Sequence, residues 1–126
     1  MSKQLLFDTT SIGSWITLGH PAIAEIMAET GFDWLTVDLE HSTITIREAE
    51  DLIRIIELKG VIPLVRLTSN SSEQIKRVMD AGAHGIVVPM VNSVEDAARA
   101  VAATRYAPQC IRGVGLARAK KIWHRF

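Results

Sequence analysis

Residues 33–67 read DWLTVDLEHSTITIREAEDLIRIIELKGVIPLVRL, and the order of patterns within them decides the fold class. Trp34, Leu35 and Val37 make Asp33–Asp38 a short apolar strand. Thr45 with Glu48 three residues on forms a capping box, where hydroxyl and carboxylate each satisfy an orphan N–H at a helix start. The spacing predicts a helix over Ile46–Leu58, with Leu52, Ile55 and Ile56 as its buried stripe and Gly60 as its stop. Val61–Leu67 is a second apolar strand. Both strands are continuous apolar runs, as strands buried on both faces of a parallel sheet must be.

The same unit recurs on either side. Upstream, Ser14–Leu18 is a strand, and Pro21 opens a helix at a position where its missing N–H costs nothing. Ile23, Ile26 and Met27 fall at helical spacing, and Gly31 stops that helix. Downstream, a helix follows Ser71, with Gln74 in the capping-box position, Ile75, Val78 and Met79 as its stripe and Gly82 as its stop. Gly85–Val88 is the fourth strand. The last helix follows Asn92, with Glu95 three residues later, and its inward residues are expected to be Val94, Ala97, Ala98, Val101 and Ala102. Four strands alternating with four helices make an α/β fold with a parallel sheet. Two architectures fit: a small doubly wound sheet, or part of a (β/α)8 barrel, which typically takes about 250 residues. After Tyr106 the regularity stops. Ala107–Gly115 reads as loop, and the tail 120–126 has no cap and no period.

The chain has 126 residues, with 14 basic and 14 acidic side chains and no net charge. A size and balance of this kind suit one domain and give no general electrostatic case for nucleic acid or an anionic membrane. With 48% hydrophobic and 22% charged residues it has the composition of a packed protein rather than a disordered one. The longest apolar run, Ile86–Val91, is far short of the roughly 20 residues of a membrane helix. The N-terminus lacks the apolar core and small-residue cleavage site of a signal peptide. A single cysteine, Cys110, cannot form an internal disulfide and fits a reducing cytoplasm.

In parallel α/β folds the ligand site lies beyond the C-terminal ends of the strands. There the sequence places His20 after the first strand, Asp38, Glu40 and His41 after the second, Arg66 at the end of the third and Asn92 after the fourth. Two carboxylates, a histidine and an arginine on one face offer a general base beside an anion clamp. Strand alternation puts Asp38 and Glu40 on a common side, with Leu39 turned away. His41 is either a solvent-facing loop histidine or a base that titrates near neutrality. Arg66, inside an apolar strand, must be paired or face a polar cavity. Its planar fork fits a substrate carboxylate or the carboxylate of Asp38 or Glu40 equally well. His20 reads as a helix cap or an exposed residue. His84 reads as structural, at the other end of the strands. Asp80, near the end of the third helix, reads as solvated. Gly113 and Gly115 lack the third glycine and the strand-to-helix setting of a dinucleotide site. No P-loop, CxxC or HExxH is present.

The run Gly31-Phe-Asp-Trp-Leu-Thr-Val-Asp-Leu-Glu-His41 resembles the second-strand signature of the HpcH/HpaI aldolase family. Pro63-Leu-Val-Arg66, Gln74-Ile-Lys-Arg-Val-Met-Asp80-Ala-Gly82, Val88-Pro-Met-Val91, Ala103-Thr-Arg-Tyr106 and Ile111-Arg-Gly-Val-Gly115 continue the match in order. The resemblance implies a (β/α)8 barrel, present here as its first half in a single truncated domain over residues 1–126, with 120–126 atypical. It implies a metal-dependent aldolase, a lyase of pyruvate chemistry and aromatic-compound catabolism. Such an enzyme cleaves 4-hydroxy-2-oxo acids, such as 4-hydroxy-2-oxoheptanedioate or 2-keto-3-deoxy sugar acids, to pyruvate and an aldehyde. Homo-oligomeric assembly is also implied.

Carried over by position, His41 is the base. Arg66 holds pyruvate and stabilises the enolate's charge. Asp80 raises the basicity of the histidine. The pattern sets Asp80 at the wrong end of its unit for that, which a subunit contact or a shifted helix boundary would reconcile. Asp38 and Glu40 match acidic positions near the site. The family's divalent metal, Mg2+, Mn2+ or Co2+, is expected to be held by a Glu and an Asp on later strands. This chain ends before them, so it is expected to be impaired as an enzyme alone. The alternative reading is a non-catalytic half-barrel that binds small carboxylates through Arg66, or an interaction module that pairs its open edges in a dimer.

Overall fold

The computed structural model describes residues 9–115 and 118. The tail 120–126 and the N-terminal stretch read for a signal peptide lie outside the described residues. Four βα units follow one another: β1 (Gly13–Ile16), α1 (Pro21–Ala28), β2 (Trp34–Asp38), α2 (Ile46–Leu58), β3 (Ile62–Arg66), α3 (Ser72–Asp80), β4 (Gly85–Val87) and α4 (Val94–Thr104). The strands pair in parallel in the order β1-β2-β3-β4. That order separates the two architectures left open by the sequence. A doubly wound sheet reverses its strand order near the middle, whereas this sheet is laid down in one direction, as in a barrel.

Helix caps explain most of the boundaries. Thr45 and Glu48 form the capping box, and α2 occupies the span that its pattern predicts. Ser71 caps α3, but only half of the expected box forms. The Gln74 amide accepts from the backbone N–H and hydroxyl of Thr68 instead of reaching back to Ser71. α4 is capped by Ser93, with Asp96 as third residue, rather than by Asn92 with Glu95. The strands are one or two residues shorter than the apolar runs that announced them, because pairing stops where the chain turns towards the next helix.

One buried cluster joins Ile16, Leu35, Val37 and Val65 of the sheet to Ala24, Ala28, Leu52, Ile53, Ile56, Ile75, Val78, Ala100 and Ala103 of the helices. Register places the alternate strand residues on the opposite face, in two rows. One row is Trp15, Thr36, Leu64 and Gly85. The other, at the C-terminal end, is Asp38, Arg66 and Val87. Helices therefore cover one face of the sheet. On the other, Trp15 and Val87 are exposed and Leu64 is half-buried. Gly13 is required by a close approach: a Cβ there would lie 1.9 Å from the ring of Trp34, its register partner on β2.

Two helix stripes depart from the sequence pattern. In α4 the inward residues are Ala100 and Ala103. Val94, Ala97, Ala98 and Val101 are exposed and Ala102 is half-buried. In α1, Ile23 and Met27 pack against the core, but Ile26 is 62% exposed. Both helices flank the outer strands, where nothing covers their far side among the described residues. Among those residues no helix is long and apolar enough to cross a membrane.

Candidate functional site

The sheet brings Asp38 and Arg66 together because they are register partners at the last paired positions of β2 and β3. Nε of Arg66 donates to Oδ1 of Asp38 at 2.9 Å, and Nη2 donates to Oδ2 at 2.7 Å. Oδ1 also accepts from the backbone N–H groups of Glu40 and His41, at 3.0 and 3.2 Å. The Ser42 hydroxyl closes the turn onto the Asp38 carbonyl. Asp38 is thus a buried carboxylate with its charge met on every side. The Arg66 guanidinium holds its carboxyl below the usual carboxylate range. Burial opposes that shift, and the two backbone donors add to it. In return Asp38 raises the pKa of Arg66 further.

Glu40 and His41 extend this cluster outward. Glu40 Oε2 lies 3.4 Å from Arg66 Nε, and its Oε1 lies 3.7 Å from His41 Nε2. The His41 side chain is 70% exposed. Trp15, on the same face of β1, stacks its ring on the guanidinium of Arg66, 4.6 Å from Cζ to the ring centroid. Trp15 carries no chemical motif in the sequence, where it is one aromatic among four strand residues. Its signal is positional: in a parallel sheet it falls in the row beside Thr36, one step below Asp38.

The five side chains leave a definite chemical capacity. Asp38 occupies the Nε/Nη2 edge of Arg66. The other edge, formed by Nη1 and the second N–H of Nη2, makes no hydrogen bond among the described residues. Two parallel N–H groups of this kind match a carboxylate or an enolate with an adjacent carboxylate. Of the two possibilities that the sequence left equal, the structure shows the pairing of Arg66 with Asp38.

The other candidates lie elsewhere. His20 caps α1, its Nδ1 accepting from the Ala22 N–H at 3.1 Å. His84 sits between α3 and β4, at the N-terminal end of the strands, with Nε2 3.1 Å from Glu57. Asp80, the last residue of α3, lies at that same end, away from His41 within this chain. It pairs with Arg112 at 2.6 Å. The Arg112 side chain is only 3% exposed and stacks on Tyr106, 4.5 Å from the ring centroid. Arg112 lies in the segment Ile111–Gly115 that continues the family match, but its pairing with Asp80 had no sequence signal, because a contact across 32 residues leaves no local period.

The donor set does not fit a divalent cation. Among the described residues no group of three His, Cys, Asp or Glu side chains converges. Both oxygens of Asp38, the best placed carboxylate, are taken by a cation already.

A family model described as HpcH/HpaI aldolase/citrate lyase matches residues 11–122. A hydroxypyruvate/pyruvate aldolase of Paraburkholderia phytofirmans is 42% identical over 125 residues, covering 98% of this chain and 46% of that protein. A 4-hydroxy-2-oxo-heptane-1,7-dioate aldolase of Salmonella dublin is 42% identical over 116 residues, 90% of this chain and 44% of the relative. The crystal structure of an HpcH/HpaI aldolase/citrate lyase family protein from Burkholderia cenocepacia superposes with a TM-score of 0.81 at 33% identity, over 88% of this chain and 46% of that one. An HpcH/HpaI aldolase from Desulfitobacterium hafniense gives the same score at 35% identity, over 87% and 43%. The chain spans less than half the length of these relatives. Its four units are accordingly a partial barrel of their type, and the chain belongs to the HpcH/HpaI aldolase/citrate lyase family.

Proposed function

We propose that the chain is the pyruvate-holding half of a metal-dependent aldolase that cleaves 4-hydroxy-2-oxo acids to pyruvate and an aldehyde. The observation that carries this reading is the unused edge of Arg66 beside a buried, fully engaged Asp38. That edge takes the 2-oxo acid carboxylate. It keeps its charge as the bond to the aldehyde carbon breaks and negative charge develops on the enolate. Asp38 keeps the guanidinium in place and oriented. His41 is the base for the hydroxyl proton in cleavage, and Glu40 stands beside it. Asp80 supports His41 across a subunit contact of a homo-oligomer. The family's Mg2+, Mn2+ or Co2+ would be held by carboxylates outside this chain. A cytoplasmic setting belongs to the same reading, supported by the lone Cys110.

The lack of a converging ligand cluster among the described residues favours a second reading, a carboxylate-binding module without turnover. Proton exchange at the pyruvate methyl group in D2O, followed by NMR with and without Mg2+ or Mn2+, distinguishes the two. Binding of pyruvate is followed in parallel by saturation-transfer NMR. The aldolase reading expects binding by this chain, lost in Arg66→Ala, and metal-dependent exchange once the later half of a relative's barrel, with the metal's carboxylates, is supplied alongside it. Binding without exchange supports the second reading. A folded sample that binds no pyruvate overturns both.

A further inference from the structure

Two constraints act on the Arg66 guanidinium, and they come from different strands. Asp38 on β2 takes the Nε/Nη2 edge, and its carboxylate is fixed in turn by the backbone N–H groups of Glu40 and His41. A pair of this kind holds one edge of the fork. The plane can still rock about that edge, and a carboxylate bound on the opposite edge would rock with it. The second constraint bears on the plane. The ring of Trp15 lies against one face of the guanidinium, with Cζ 4.6 Å from the ring centroid. At that distance the electron-rich face of an indole attracts a cation.

Adjacency in the sheet does not bring these two side chains together. β1 ends at Ile16, opposite Val37, so no β1 residue stands in register beside Asp38. β1 and β3 are two strand spacings apart, about 10 Å, with β2 between them. Arg66 leans back across β2, and Trp15 meets it from the row below, beside Thr36. A long side chain with a flat end spans that gap and offers a plane to the guanidinium. A side chain that merely fills the sheet face needs neither property. Trp15, Asp38 and Arg66 lie on three strands that pair with one another within this chain.

We propose that Trp15 is a positioning residue: it sets the plane of the Arg66 guanidinium, and with it the direction of the free Nη1/Nη2 edge. Asp38 and Trp15 divide the task, one holding an edge and the other a face. An edge held in both ways meets a planar carboxylate without first losing rotational freedom. Groups preorganised like this bind more tightly without any added contact. The proposal deepens the reading of Arg66 as the group that holds the 2-oxo acid, and it rests on that reading for its affinity measurement alone.

NMR of the 126-residue chain, labelled on arginine, tests it, with far-UV circular dichroism to show each variant folded. The Arg66 signals are those lost in Arg66→Lys. In the wild type its side-chain protons are expected upfield of those of the exposed Arg47, displaced by the ring current of Trp15. Trp15→Leu should abolish that displacement and speed rotation about the Nε–Cζ bond of Arg66 by about threefold or more. Trp15→Phe, which keeps a ring, should restore most of both. Pyruvate titrated into the same samples should bind about threefold to tenfold more weakly to Trp15→Leu than to Trp15→Phe. Undisplaced Arg66 protons in the wild type, or an Arg66 as ordered in Trp15→Leu as in the wild type, overturns the proposal. So does equal pyruvate affinity in the Leu and Phe variants. A folded wild type with a displaced, slowly rotating Arg66 that binds no pyruvate supports the positioning by Trp15 and overturns the reading of Arg66 as the anion-holding group.

Discussion

Arg66 and Asp38 face each other across neighbouring strands as register partners, and they meet along one edge of the guanidinium, through Nε at 2.9 Å and Nη2 at 2.7 Å. Asp38 is 1% exposed and the Arg66 side chain 25%. The two charges therefore depend on each other far more than a surface pair would.

Asp38→Asn is expected to destabilise the fold at pH 7, because it leaves the Arg66 guanidinium without its counter-charge. The native carboxyl titrates below its unfolded value, so the pair's contribution is complete above the ordinary range of about 3.9 and is lost as pH falls through the lowered native value. Urea unfolding at pH 7 and in that acid range should show the gap between wild type and variant narrowing on acidification. A gap that stays constant would mean that the charge of Asp38 is not what stabilises it.

Thr36 is fully buried, and its hydroxyl has no hydrogen-bond partner among the described residues. Thr36→Val keeps the shape and removes the unmet polar group. A gain of about 1 kcal/mol in urea unfolding is the expected result. A loss would show that a solvent molecule or a ligand satisfies that hydroxyl in solution.

Gly13→Ala forces a methyl group into the ring of Trp34. The indole must move, and a cost of about 1–3 kcal/mol follows from overpacking of this kind. Combining it with Trp34→Leu should recover most of that loss. Additive effects in the double variant would disprove the contact.

Asp80→Ala strips the buried Arg112 of its counter-charge at the N-terminal end of the sheet, and a loss of about 3–5 kcal/mol is expected. Arg112→Met removes the charge instead and keeps apolar contact with Tyr106, so it should cost less. The ordering of the two variants in thermal unfolding is the test. The reverse order would assign the stability to the stack on Tyr106 rather than to the ion pair.

What the sequence disclosed follows from the range of each interaction. The capping box of Thr45 and Glu48 is a matter of three residues, and α2 starts and stops where that pattern says. The family signature around His41, the convergence of Asp38, Glu40 and Arg66, and the α/β class were legible for the same reason: each is written in one short segment or in the alternation of segments. The strand order was legible only through the family resemblance, which implies a barrel, since no local pattern distinguishes a sheet laid down in one direction from a doubly wound one. The inward face of α4 was misread because period alone cannot say which neighbour buries a stripe. Val94 and Val101 carry the apolar signal, but the alanines Ala100 and Ala103 touch this chain's own core. The stack of Trp15 on Arg66 and the pairing of Asp80 with Arg112 join residues remote in the chain, and nothing in either segment advertises its partner.

The ion pair of Asp38 and Arg66 closes a single βαβ unit, so one unbroken stretch of sequence, from Trp34 to Arg66, specifies the guanidinium, its counter-charge and the loop histidine. Recombination joints that fall between units transmit this chemistry whole, whereas a joint inside α2 divides it between two parents. In shuffled libraries built from this chain, crossovers before Asp33 or after Leu67 should therefore keep Asp38 and Arg66 from one parent, and crossovers between Ile46 and Leu58 should be the ones that separate them.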